Sequence, residues 1–107
     1  MSDNLPPLSH LQFAVLDALG TASMAGKQLR ESLAANGIKK SGPSFYQLMA
    51  RLEEGKLVEG RTDQKIVDGQ IIKERFYKVT GEGSRALEAQ ARFYRRSRIT
   101  RLTPSLI

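Results

Sequence analysis

The sequence predicts an α+β chain, mostly helical, with three helices, a two-stranded hairpin and a fourth helix. Three observations predict it. Apolar residues recur at helical spacing up to Leu52, most clearly at Phe45, Leu48, Met49 and Leu52, which fall at i, i+3, i+4 and i+7. The pattern then switches to period 2 on either side of Asp68-Gly69, a dipeptide suited to a tight hairpin turn because both positions tolerate φ > 0. Helical spacing returns after Thr80.

Residues 1–7 read as a flexible lead-in. The first helix runs from about Leu8 to Leu19, with Leu8, Leu11, Val15, Leu16 and Leu19 as its buried stripe. Ser9 and Gln12 have capping-box spacing, and Gly20 ends the helix. The second helix runs from about Met24 to Ala35, with Ser23 as its cap, Leu29 and Leu33 as its apolar pair and Asn36-Gly37 as its stop. Ile38 to Gly42 form a short basic turn. The third helix follows: Pro43 suits the first helical position, where a missing N–H costs nothing, and Gly55 is its stop.

Folding the chain at Asp68-Gly69 sets Val58 opposite Val79, Glu59 opposite Lys78 and Gly60 opposite Tyr77, which buries Val58, Tyr77 and Val79 together. The outer hairpin carries Ile66, Val67, Ile71 and Ile72, more apolar surface than an exposed tip needs. Either it packs on a second subunit, or the strand breaks near Asp63-Gln64 and folds back. Thr80 caps the fourth helix and Glu82 complements its dipole. That helix is expected from Gly81 to about Ser97, with a frayed tail at residues 100–107. Leu87, Ala91 and Tyr94 share one face, and Ala86, Ala89 and Phe93 another. Two apolar faces imply one contact with the domain and one with a partner subunit.

A chain of 107 residues with 40% apolar and 26% charged residues suits one domain of ordinary composition. No apolar run is long enough to cross a bilayer, and no basic-then-apolar leader is visible. The absence of cysteine excludes disulfides and thiolate metal sites and fits a cytoplasmic location; a single histidine, His10, makes a His-rich metal site untenable. No metal, cofactor or catalytic residue is predicted. Scattered carboxylates and one histidine assemble no reaction centre, and Gly81-Glu82-Gly83 lacks the third glycine of a phosphate-cradling loop. The net charge of +6 favours an anionic partner. It is concentrated in Arg92, Arg95, Arg96, Arg98 and Arg101, with a smaller group at Lys39, Lys40 and Arg51.

Helix, turn, helix and then a hairpin is the order of a helix-turn-helix with a wing. The outer face of the third helix carries Ser44, Gln47, Ala50 and Arg51. Gln and Arg read base edges in a major groove, and a small residue permits close approach. Lys39, Lys40 and Tyr46 are placed for phosphates, and Lys65, Lys73 and Arg75 would act from the wing. The competing reading is a solvated face and a solvated basic turn.

Leu48-Met-Ala-Arg-Leu-Glu-Glu-Gly-Lys-Leu-Val58, Arg75-Phe-Tyr-Lys-Val-Thr-Gly-Glu-Gly83 and Arg85-Ala-Leu87 resemble the PadR-like transcriptional regulators. These share "RLE-x-x-G-L-V" at the end of the third helix and "Y-x-L-T-x-x-G-x-x-x-L" at the wing-to-helix junction. Here Tyr46, Arg51-Leu52-Glu53, Tyr77, Val79, Thr80, Gly83 and Leu87 match. The resemblance implies a winged helix-turn-helix over residues 8–80 and a dimerisation helix over 81–99. It implies a homodimer bound to double-stranded operator DNA, usually repressing transcription, with Leu87, Ala91, Phe93 and Tyr94 as dimerisation candidates. Two departures stand out. Gly26-Lys27 replaces an early Gly-Tyr, and a single helix follows the wing, which leaves any small-molecule effector unassigned. The alternative is a winged-helix module that binds another protein through its wing tip and fourth helix.

Overall fold

A computed structural model describes residues 8–106 of the chain, with side chains for residues 8–96. The expected lead-in at residues 1–7 and the last residue, Ile107, lie outside the described residues. The order is α1 (His10–Leu19), β1 (Met24–Ala25), α2 (Gly26–Ala35), α3 (Gly42–Glu54), β2 (Val58–Val67), β3 (Gln70–Val79) and α4 (Gly81–Leu106). The sheet is antiparallel, in the order β1-β3-β2.

The expected capping box starts α1: Ser9 Oγ accepts from Gln12 N–H, and Gln12 Oε1 accepts from Ser9 N–H, both at 3.0 Å. Leu8, Val15, Leu16 and Leu19 are buried as expected, whereas Leu11 is only half-buried. The start of α2 differs from the sequence reading. Met24 and Ala25 are extended and pair with Tyr77 and Phe76, so the helix begins at Gly26 and Ser23 caps nothing. The backbone groups of Met24 and Ala25 find partners on the edge of β3, and that pairing takes the place of a local cap.

Ser41 caps α3 by accepting from Ser44 N–H at 3.2 Å. The helix opens on Gly42, so Pro43 takes the second helical position rather than the first. It is still within the turn whose N–H groups have no helical partner. Gly55 ends α3 at φ −78°, and the left-handed residue is Lys56 at φ 61°. Phe45, Met49 and Leu52 point inward and are fully buried with Val15, Leu16 and Leu29. Leu48 is half-buried at the margin of this core.

The hairpin has the expected register, from Val58↔Val79 to Val67↔Gln70, across Asp68 (φ 52°) and Gly69 (φ 79°). Pairing is continuous through Asp63 and Gln64, so the strand does not fold back. The tip residues Ile66, Val67, Ile71 and Ile72 are exposed.

At the wing-to-helix junction Thr80 Oγ1 donates to Lys56 O at 2.7 Å and accepts from Gly83 N–H at 3.0 Å. Gly83 is a forced glycine: a Cβ there would collide with the carbonyl oxygen of Leu57. The α4 helix continues past the expected end near Ser97, through the residues expected to fray, to Leu106. Gln90 ties it to the residue just before the α1 cap, donating to Leu8 O at 2.7 Å and accepting from Leu8 N–H at 3.2 Å. Tyr94 stacks edge-on against Phe13 with ring centroids 5.1 Å apart. Ala86 is buried in the core whereas Phe93 is exposed, so the face that spacing assigned to Ala86, Ala89 and Phe93 is divided between core and solvent. No described helix is long and apolar enough to cross a membrane.

Candidate nucleic-acid interface

The burial of Phe45, Met49 and Leu52 turns the opposite side of α3 outward. Gln47, Ala50 and Arg51 are exposed there, with Ser44 half-buried at the helix start. Arg51 is exposed, and among the described residues its side chain makes no ion pair and no hydrogen bond. Tyr46 is also exposed but anchored. Its ring meets Phe45 edge-on, centroids 4.9 Å apart, and its hydroxyl lies over Gly26, where a Cβ would come within 2.9 Å. The hydroxyl is thus held at the seam between α2 and α3.

The basic turn is built from α2 as well as from its own residues. Arg30 Nε donates to Lys40 O at 3.0 Å, clamping the turn that precedes α3. Lys27, Arg30, Glu31, Ala34, Lys39 and Lys40 together line a shallow cleft. Sequence reasoning named Lys39 and Lys40 but missed Lys27 and Arg30. Their i, i+3 spacing on the side of α2 away from Leu29 and Leu33 was the available signal.

The three wing cations have different surroundings. Arg75, expected on DNA, is committed inside the chain. Nη2 donates to Glu53 Oε1 at 2.7 Å and Nη1 to Thr62 Oγ1 at 3.1 Å, and the guanidinium lies 5.7 Å from the Tyr77 ring centroid. Gly60 makes room for this group, since a Cβ there would lie 2.6 Å from Arg75 Nη2. Burial pushes the Tyr77 phenol above its ordinary pKa, with Arg75 opposing the shift. Lys65 pairs with Glu74 at 3.3 Å in an exposed setting. Lys73 is exposed and makes no ion pair among the described residues. Arg61, which the sequence did not single out, chelates Asp63 at 3.2 and 3.3 Å and lies 5.1 Å from the Phe76 ring centroid.

Of the dimerisation candidates, Leu87 and Tyr94 turn toward the domain, Ala91 is half-buried, and Phe93 faces outward, 56% exposed. Arg92, Arg95 and Arg96 are exposed on α4, with Arg92 3.9 Å from Glu88. The side chains of Arg98 and Arg101 lie outside the described residues.

This surface offers donors and cations and has few acids. It can take a polyanion whose charges run past the α2–α3 turn and whose acceptors face Gln47 and Arg51. Among the described residues no group of His, Asp and Glu could hold a metal ion.

No protein-family model matches the chain, and no curated protein does. Solved structures do. A PadR family transcriptional regulator from Eggerthella lenta is 30% identical, with 78% of this chain and 71% of that one covered at a TM-score of 0.60. A PadR family transcription regulator from Clostridium difficile is 15% identical, with 92% and 100% covered at 0.74. Bacillus subtilis PadR, solved in complex with operator DNA, is 16% identical at 0.65; it is matched over 78% of this chain and 48% of its own.

Proposed function

The chain belongs to the PadR family of transcriptional regulators, and on that premise we propose that it binds operator DNA as a homodimer and represses transcription. Residues 8–80 are the DNA-binding unit, and α4, over residues 81–99, builds the dimer with Phe93 at its centre. The observation that carries this reading is the outward side of α3. Gln47, Ala50 and Arg51 stand clear of the core, and Arg51 has no partner among the described residues.

In this reading α3 enters the major groove. Ser44, Gln47 and Arg51 meet base edges, and Ala50 lets the helix approach. Lys39 and Lys40 meet phosphates, joined by Lys27 and Arg30 from α2, and Tyr46 directs its hydroxyl to the same backbone. Lys65 and Lys73 act from the wing. Arg75 holds the wing against α3 instead of meeting a phosphate, since Glu53 and Thr62 already occupy its nitrogens. Two subunits present their α3 helices about one helical turn apart.

The test is fluorescence anisotropy of the full chain against a duplex it enriches from a randomised pool, and against random DNA, at two salt concentrations. Arg51→Ala weakens the enriched duplex by about 1–3 kcal/mol and narrows the gap to random DNA. Equal losses on both duplexes make Arg51 a phosphate contact. Failure of the wild-type chain to bind any duplex at low salt overturns the reading.

A further inference from the structure

The outer wing sorts its side chains by chemistry. Directly paired residues share a face, and faces alternate along each strand. One face therefore holds Gly60, Thr62, Gln64 and Ile66 of β2 with Ile71, Lys73, Arg75 and Tyr77 of β3. Its two strands contribute Lys73 and Arg75 and no carboxylate, and Arg75 is paired with Glu53 of α3. The other face holds Glu59, Asp63 and Glu74 against Arg61, Lys65 and Lys78, with Arg61–Asp63 and Lys65–Glu74 paired at 3.2 and 3.3 Å. All the hairpin strands' acids thus lie on one face, where cations balance them.

The acid-free face is the one turned toward the helices, because it buries Tyr77 and passes Arg75 to Glu53 at the end of α3. Beyond that contact it ends in Ile66 and Ile71, a directly opposed pair, 75% and 66% exposed. Solvent alone does not account for two adjacent exposed isoleucines on the one face of the ribbon where a lysine, Lys73, has no acid beside it.

We propose that Ile66 and Ile71 form an apolar wedge that enters the minor groove next to the major groove occupied by α3, pressing on sugar and base and bending the duplex. This rests on the DNA-binding reading above. The charge pattern selects the occupant: with Arg75 held by Glu53, Lys73 is the free cation of this face among the described residues, and a lysine with no acid beside it suits the phosphate ridge between the grooves, while apolar side chains beyond it suit the groove floor. The reach fits as well. From the Arg75 rung to the Ile71 rung is roughly 13 Å at about 3.3 Å per residue. Neighbouring groove centres lie about half a helical turn apart, roughly 17 Å, and the Glu53–Arg75 contact spans part of that distance.

The test compares the full-length wild-type chain with the Ile66→Ser/Ile71→Ser variant on a fluorescent duplex that the wild type enriches from a randomised pool. Bending is read by end-to-end energy transfer, affinity by anisotropy over a salt series, and self-association by sedimentation. The expected result is a wild-type bend of roughly 20° or more that is reduced in the variant, with affinity falling about tenfold and the salt slope unchanged. An unchanged bend and affinity overturn the wedge while leaving the DNA-binding reading intact. A changed sedimentation of the free protein also overturns it, because the isoleucines would then face a second copy. If the wild type enriches no duplex, the DNA-binding reading fails, and the wedge fails with it.

Discussion

The root and the tip of the wing are parts of one continuous ladder, yet they use their residues in opposite ways. At the root Val58 and Tyr77 are each 2% exposed, Gly60 makes space for Arg75, and Arg75 bonds Glu53 and Thr62. At the tip Ile66 and Ile71 are open, and Lys73 has no ion partner among the described residues. The backbone pairing is the same throughout, so the difference lies in what the side chains meet. Root residues are consumed in holding the wing to α3. Tip residues contribute little to the isolated fold and remain available for a partner. Substitutions should therefore separate stability from binding along a single hairpin.

The largest separation is expected at its two ends. Tyr77→Ala removes a buried aromatic ring from the root and should cost about 3–5 kcal/mol of unfolding free energy. Ile71→Ala at the tip should change stability by less than about 0.5 kcal/mol. Urea titrations of the two variants measure both, and equal losses would break the distinction. Gly83→Ala should cost about 1–3 kcal/mol, at the upper end of that range. Its new Cβ meets the carbonyl of Leu57, and a backbone atom cannot turn aside as a side chain can.

The hairpin was legible in the sequence because its determinants are local. Asp68-Gly69 fixes the turn, and with the turn placed, alternation sets every pair from Val58↔Val79 outward. The capping box at Ser9 and Gln12 and the inward stripe of α3 were legible for the same reason. What stayed hidden depends on contacts distant in sequence. Met24 and Ala25 become a strand only because β3 offers them an edge, so a helix cap at Ser23 was the natural local reading. Arg75 looked like a DNA contact until Glu53, at the end of another element, took its guanidinium. Ala86 and Phe93 shared a helical face by spacing, but α4 rests on the domain along a line that includes Ala86 and leaves Phe93 out. In the candidate interface, Gln47 and Arg51 followed from helical period alone, whereas Arg30 needed the folded turn to reveal its bond to Lys40 O.

A smaller effect sharpens the boundary between root and tip. Glu53→Gln leaves the shape of the side chain but removes the charge that holds Arg75. Both partners are partly exposed, so the loss should be only about 0.5–1 kcal/mol. Its more telling readout is hydrogen exchange. Amides of β2 and β3 near Thr62 and Arg75 should exchange faster, while those of α1 keep their protection. Uniform acceleration across the chain would mean that Glu53 supports the whole fold and not the attachment of the wing.

The smallest stability effect should come with a specific change in binding. Lys73 lies two rungs inside the Ile66–Ile71 pair, on the acid-free face, beside Gln64 and on the opposite face from every carboxylate of the hairpin strands. Lys73→Ala should leave the urea midpoint where it is, because the exposed ammonium makes no ion pair among the described residues. On DNA it should weaken binding to every sequence alike. One phosphate contact releases about one counterion, so the slope of log affinity against log salt should fall by about one unit. Lys65 provides the contrast. It already neutralises Glu74 at 3.3 Å on the opposite face, so Lys65→Ala should flatten the slope less. If the two lysines changed the slope equally, both faces of the ribbon would lie against phosphate, and the sorting of charge between them would not set how the wing meets the duplex.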